Sequence, residues 1–587
     1  MSIRWVIPDT KLSMASLTSL PAGPVAGRAA VPRRRADRAA APAATQAWWL
    51  ATLNEGLPAH DPPLPVRDEA IFLLHTAAEI EHALLAQYLY AAYSLKSSDE
   101  VPDHAEEVTR WRDTLLNIAK EEMGHLMTVQ NLLLLLGAPL NFEREDAPFR
   151  FGLYPFPFRL EPLGKESLAK YVLAEKPVDP ANQLLTKKQV KELRTRAKLG
   201  GVAVVNRVGA LYAKVLMLFS ESNDANLATL RGMLPGLEAE FDKRLGPDDL
   251  LPADSPGLLL QAPTDEWSRN SDDLKVFVPP VKDRAQARAA LLQIMEQGEA
   301  GSGTPEGEIS HFQRFWKLYQ EFPDRSEKKA WTATRRVAVN PNTLLNPPTS
   351  KKSGNITNLL TRAWAELFNL RYRLVLDVLA HYLQVTPVEA PQFVQKRGFL
   401  GGKAITEMFW LTALADKLTT MDRGAASRTG KAGPPFELPD SMALPHRDEE
   451  SWRWHLKQHE EFDRLVAALS PQETAENQQF LSGLQLPDDE KAQMLTFATA
   501  TPSNGAGGSA TTSFQRDIKT LFRPIDVAHM RFALDLSNYD DVKANSQGVL
   551  DRLKGIGGNR MPPPPAPAWP QDQIDLFERW IQQGHPA

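Results

Sequence analysis

Two unbroken helical patterns constrain this chain more than any other feature. Apolar residues recur at helical spacing from Asp68 to Leu95 and again from about Glu106 to Leu136, where Gly137 and Pro139 end the second in the expected order. Both runs exceed the ordinary helix length of about 11–12 residues. Strand-like alternation is scarce elsewhere, so the fold class is mainly α, a helical bundle accompanied by further helical units.

Shorter helical patterns follow at Lys165–Glu175, Gln189–Leu199, Val202–Glu221, Ala225–Phe241, Arg284–Glu299 and Pro305–Gln320. A Pro/Lys/Ser-rich stretch, Asn340–Gly354, reads as a linker. Beyond it come Leu359–Leu383, Ile405–Leu418, Glu449–Leu469 and Pro487–Thr499, and then a second linker, Thr501–Thr512, rich in Gly and Ser. The expected organisation is a flexible arm over 1–65, a metal-binding helical domain over 66–340, a second helical unit over 355–500 and a small module over 513–587.

Composition narrows the chemistry. The 587 residues contain no Cys, which excludes disulfide scaffolds, thiolate metal sites, covalently attached c-type haem and a cysteine nucleophile. Nucleophile–base motifs and phosphate-binding Gly-rich loops are missing from convincing contexts. With 67 Lys+Arg against 72 Asp+Glu, the net charge of -5 gives no reason to expect a nucleic-acid partner. The apolar run Leu132–Leu136 falls far short of the ~20 residues of a membrane span. The basic cluster Arg33–Arg35 comes too late and sits among too much Ala and Pro for a signal peptide, so a cytoplasmic location is expected.

Chemistry therefore rests on acids and histidines inside apolar helical faces. Glu81 shares its face with Leu74, Ala77, Ala78, Leu84, Leu85 and Tyr88, and a buried carboxylate of this kind needs a partner. Glu79, with His75 and His82 at i−4 and i+3, forms a separate trio that fits either a metal or a hydrogen-bonding rim. Glu122 and His125 make a Glu-x-x-His pair, and Glu308 and His311 make a second one, read as lying on a helix. Two such pairs plus two further carboxylates are the set with which four-helix bundles hold two metal ions. Glu81 supplies one of the two. The natural third helix, Val202–Phe219, contains no acid, so Glu299 or Glu296 takes the remaining role, or the site holds one ion only. Iron fits these ligands, with manganese and zinc as alternatives. Tyr88, Tyr212 and Phe315 are candidates to line the substrate pocket, against core packing as the plain alternative.

With these residues in view, 68–330 resembles the ferritin-like family named for the iminophenyl-pyruvate dimer synthases of the violacein and rebeccamycin pathways. The resemblance runs through Glu79-Ile80-Glu81-His82, Gln87-Tyr88-Leu89-Tyr90, Glu121-Glu122-Met123-Gly124-His125, Tyr154-Pro155-Phe156-Pro157, Gly209-x-x-Tyr212, Glu296-Gln297-Gly298-Glu299 and Ser310-His311-Phe312. It continues into Leu367-Phe368-Asn369-x-x-Tyr372. It implies a ferritin-like helical domain with a metal site, in a family some of whose members oxidatively couple amino-acid-derived imines. The tail, from Phe514-x-x-Asp517-Ile518 to Trp580-Ile581-x-x-Gly584, resembles a cytochrome-c-like module without its haem attachment motif. His529 and Met561 are candidate axial ligands, and a helical docking module is the plainer reading.

The resulting expectation is a metal-dependent oxidoreductase, with non-haem iron acting on a small organic substrate through dioxygen or peroxide. Its ligands are Glu81, Glu122, His125, Glu299, Glu308 and His311, and a homo-oligomer is left open. The alternative is a non-catalytic ferritin-like protein for metal storage or assembly.

Overall fold

The computed structural model describes residues 2–9, 52–149, 156–178, 184–198, 207–221, 225–263, 277–299, 309–324, 331–385, 390–424, 430–438, 442–445, 447–499, 512–522, 526–527, 530, 534–556, 561, 569 and 571–586. Two short strands, β1 (Ser2–Val6) and β2 (Leu57–Asp61), pair antiparallel with Ser2 opposite Asp61, so the ends of the expected arm are joined to each other. The helices are α1 (Val66–Tyr93), α2 (Ala105–Leu135), α3 (Lys165–Ala174), α4 (Lys187–Arg196), α5 (Arg207–Leu218), α6 (Ala225–Met233) and α7 (Glu238–Phe241). They continue with α8 (Arg284–Glu299), α9 (His311–Glu321), α10 (Leu359–Tyr382), α11 (Ala390–Leu418), α12 (Asp448–Leu469), α13 (Ala475–Gly483) and α14 (Asp488–Thr499). The tail carries α15 (Tyr539–Ala544), α16 (Ser546–Leu553) and α17 (Gln571–Gln582). No helix among the described residues is long and apolar enough to cross a membrane.

Local chemistry explains the boundaries. α2 ends as its sequence predicts: Gly137 takes φ 59°, the Ala138 N–H donates to Leu133 O at 2.9 Å and the Gly137 N–H to Leu134 O at 2.9 Å. This paired closure leaves few carbonyls orphaned and favours glycine at the left-handed position. The helix read over Ala225–Phe241 is broken in two at Pro235 and Gly236, the latter at φ 94°. The helix read from Pro305 begins only at His311. Ser310 is extended at φ -60° and ψ 162°, its hydroxyl accepts from the Gln313 N–H at 3.3 Å, and the Gln313 side chain returns a bond to the Ser310 N–H at 3.3 Å. That capping box fixes the start of the helix at His311.

The chain divides into two compact units, Met1–Thr499 and Ala500–Ala587. In the first, one hydrophobic core runs without interruption from Leu53 to Ala498, through both the expected metal-binding domain and the second helical unit. The Asn340–Gly354 stretch between them is tied down. Asn340 exchanges two bonds with Leu160, at 2.8 and 2.9 Å, and the Thr343 hydroxyl donates to Glu437 at 2.7 Å. The second unit has its own core around Phe514, Ile518, Leu536, Phe577 and Trp580, and Met561 is buried in it. His529 lies outside the described residues.

Helices α10, α11, α12 and α14 enclose a polar interior. Arg371 pairs with Glu407 at 2.6 Å, while Lys403 bridges Glu407 at 2.8 Å and Glu490 at 2.7 Å. Nearby, His381 contacts Asp448 at 2.9 Å and His455 at 3.0 Å. His459 is 2% exposed and neither of its ring nitrogens has a hydrogen-bond partner. Burial, with the charges of Lys403, Arg371, His455 and Lys491, holds its pKa well below 6.5. Below pH 6.5 the unfolded chain therefore binds more protons than the folded one. The contribution of His459 is full above that pH and is lost as pH falls further, at about 1.4 kcal/mol per pH unit. His459→Leu is expected to lose less stability than the wild type between about pH 7 and pH 5, read from melting temperatures. Equal losses in the two proteins would refute the assignment.

Candidate metal centre

The long helices α1 and α2 pack against each other and bring three ligand candidates together. Glu81 emerges from the apolar face of α1, and Glu122 and His125 share a face of α2; all three are buried. Glu175 caps the C-terminus of α3, and His311 is the first residue of α9; both are buried as well.

These five residues form two overlapping groups, Glu81–Glu122–His125 and Glu122–Glu175–His311, within each of which one ligand atom per residue lies within 4.8 Å of the others. Glu122 belongs to both. Its Oε2 is 3.0 Å from His125 Nδ1, and its Oε1 is 3.0 Å from His311 Nδ1. Glu81 Oε2 stands 3.4 Å from His125 Nδ1, and Glu175 Oε2 stands 3.8 Å from His311 Nδ1. The two imidazole centroids are 5.6 Å apart.

Three buried atoms in this cluster, Glu81 Oε2, Glu122 Oε1 and His311 Nδ1, make no hydrogen bond. Orphaned polar atoms are costly in an interior, and here they converge on the same small volume. Three carboxylates and two imidazoles are the donor set that iron, manganese or zinc accepts, so the residues fit a metal. Electrostatics agrees. Burial and the charge of Glu122 push Glu81 up to about 7. Burial alone would lower His125, yet Glu122 and Glu81 raise it to about 10, and the neighbouring acids raise His311 well above its usual range. Without a cation, protons on the imidazoles balance the carboxylates, and a metal displaces such protons when it binds.

Each ligand is held from outside. Tyr212 on α5 donates to Glu81, and Tyr88 on α1 donates to Glu175. His125 Nε2 meets Gln297 Oε1 at 2.8 Å, and His311 Nε2 meets Glu121 Oε2 at 2.8 Å. Tyr88, Tyr171 and Phe315 pack as an aromatic trio beside Glu175, with centroids 4.8 to 5.3 Å apart. All three rings are buried.

The structure brings Glu81, Glu122, His125 and His311 together and makes Tyr88 and Tyr212 hydrogen-bond donors to carboxylates. Glu299 lies on α8 with its side chain outside the described residues, and Glu308 lies outside them altogether. The trio of Glu79, His75 and His82 does not converge: His75 Nε2 meets Pro139 O at 3.1 Å, whereas His82 faces Tyr372. Glu175 was not foreseen. Its signal was available, since Leu168, Tyr171 and Val172 lie one and two turns behind it on an apolar face, but an acid ahead of Lys176-Pro177 reads as a solvated helix end.

A buried cluster of carboxylates and histidines held between long helices defines a class, and the ferritin-like family model matches residues 74–320. This part of the chain is similar to ferritin-like domains. Dichlorochromopyrrolate synthase of Lentzea aerocolonigenes is 27% identical to the chain over 469 residues, covering 72% of this chain and 41% of that protein. The 2-imino-3-(indol-3-yl)propanoate dimerase of Chromobacterium violaceum is 28% identical over 403 residues, covering 62% of this chain and 33% of that protein. The chain therefore spans less than half the length of either relative. A ferritin-like protein from Caulobacter vibrioides aligns at 18% identity over 59% of this chain and 96% of its own, with a TM-score of 0.31, too slight a likeness to bear weight.

Proposed function

We propose that the protein is a non-haem, metal-dependent oxidoreductase that oxidises a small amino-acid-derived molecule at the expense of dioxygen or peroxide. Glu81, Glu122, His125, Glu175 and His311 would hold the metal, with iron the leading ion. The observation that carries this reading is Glu122, whose two oxygens face two different histidines while three buried atoms around it lack hydrogen bonds. A redox metal held there supplies electron-transfer chemistry that carboxylates and imidazoles lack. The chain's own residues would hold that chemistry in place: Tyr212 and Tyr88 orient two carboxylates, and Tyr88 packs on Phe315 beside them.

The substrate class draws support from the two relatives, whose names specify a chromopyrrolate product and an indolyl imino acid. An arylalkyl imino acid is therefore the first substrate to test. A two-electron oxidation of such a molecule passes its electrons and protons to dioxygen, giving hydrogen peroxide.

Protein reloaded with ferrous iron is expected to hold about two ions per chain and to consume dioxygen only when 2-imino-3-(indol-3-yl)propanoate is generated in the same vessel. Iron bound without oxygen consumption across a panel of imino acids would turn the reading to storage or assembly. Protein that takes up no iron would overturn it.

A further inference from the structure

We propose that the two metal positions are unequal, that the position at His311 is the tighter one, and that Glu121 sets the difference as a positioning residue behind His311. This rests on the metal-binding reading above. The ligand sets themselves give no reason for inequality. Among the described residues each position has one imidazole, a share of Glu122 and one carboxylate that accepts from a tyrosine, Glu81 from Tyr212 and Glu175 from Tyr88.

The difference lies behind the rings. Both histidines turn Nδ1 inward and tie Nε2 to an acceptor, so a metal held at Nδ1 would leave the Nε2 proton donated outward in each. For His125 the acceptor is a neutral amide oxygen, that of Gln297, at 2.8 Å. For His311 it is the Glu121 carboxylate, also at 2.8 Å. Distance is the same, but charge is not. A hydrogen bond to an ionised acceptor is about twice as strong as one between neutral groups, and it draws the Nε2 proton outward, leaving Nδ1 the better donor.

Glu121 is built to stay ionised and in place. Arg314 binds both of its oxygens, Nη1 to Oε1 at 3.0 Å and Nη2 to Oε2. Arg314 also stands one turn after His311 on α9, so a single helix carries both the ligand and the cation that steadies its partner. On α2 the consecutive acids Glu121 and Glu122 reach opposite nitrogens of the same ring. Gln297 has no described arginine of this kind behind it.

Outer partners of metal-bound histidines typically alter affinity by about 10- to 100-fold. The test uses the full chain, freed of metal and titrated with Mn(II), with free ion counted by electron paramagnetic resonance. Wild type is expected to bind in two steps separated by about tenfold or more. Glu121→Gln should weaken the tighter step alone, by about 10- to 100-fold, and Gln297→Glu should tighten the weaker step alone. The second variant adds an interaction, so its result does not depend on how well Glu121→Gln folds. Two ions bound in one indistinguishable step, or both variants acting alike on both steps, would overturn the inequality and leave the metal site standing. No Mn(II) bound by wild type would overturn both.

Discussion

Glu122→Ala is expected to abolish metal binding at both positions, whereas Glu81→Ala leaves one ion. The asymmetry follows from which ligands are shared. Glu122 belongs to both groups, with one oxygen 3.0 Å from each histidine, while Glu81 belongs to one. Loss of Glu81 leaves Glu122, Glu175 and His311 intact around the second position. Loss of Glu122 removes a ligand from each and also the charge that stands between His125 and His311. Metal content after dialysis reads the result: near zero for Glu122→Ala and about half of wild type for Glu81→Ala. A Glu122→Ala protein that keeps one ion at wild-type affinity would remove Glu122 from its shared role. Glu122→Gln, which keeps shape and removes charge, separates loss of ligation from loss of packing.

The largest stability effect is expected at Arg371→Met, far from the metal centre. Arg371 is 1% exposed, pairs with an equally buried Glu407 at 2.6 Å, donates to Leu484 O and lies over the Phe462 ring at 4.4 Å. Removing one member of a buried pair leaves the other charge stranded and typically costs about 3–5 kcal/mol. Lys403, 2.8 Å from Glu407, softens the loss without supplying the missing geometry. Replacing both partners with apolar residues removes the stranded charge, so Arg371→Met/Glu407→Leu should recover at least half of the loss in urea unfolding. A double variant no more stable than the single one would assign the effect to the Leu484 carbonyl and the Phe462 contact.

The sequence carried the bundle and most of its site because both are written at short range. A helix repeats every few residues, so α1, α2, α10 and α12 appear within a residue or two of their periodic patterns. An acid in an apolar stripe is equally local, which is why Glu81, Glu122 and His125 were legible. The remaining carboxylate is assigned to Glu299 or Glu296 because the helix containing Tyr212, the natural third of four, has no acid. Among the described residues the structure adds Glu175 from the end of α3, and α5 supplies the hydroxyl that steadies Glu81. Which helix lies opposite which is a tertiary fact with no short-range trace. The same holds for Glu121 and Gln297, whose importance depends on a ring brought from α9 or α2. His311 is reached through its spacing from Glu308, which lies outside the described residues, and it opens α9 behind the capping box at Ser310.

The unbroken core from Leu53 to Ala498 also bears on how such a gene can be cut and recombined. A breakpoint at 340–354 looks harmless in the linear text. It would separate Tyr93 from Thr412, 3.0 Å away, and Arg112 from Asp416, 2.7 Å away, and strip the apolar cover from both halves. Recombination there should yield insoluble fragments. A junction after Thr499 crosses between two separate cores. The smallest heritable piece that carries the carboxylate–histidine cluster as a folded whole therefore runs to Thr499, and libraries that shuffle or replace the tail should place their seam just beyond it.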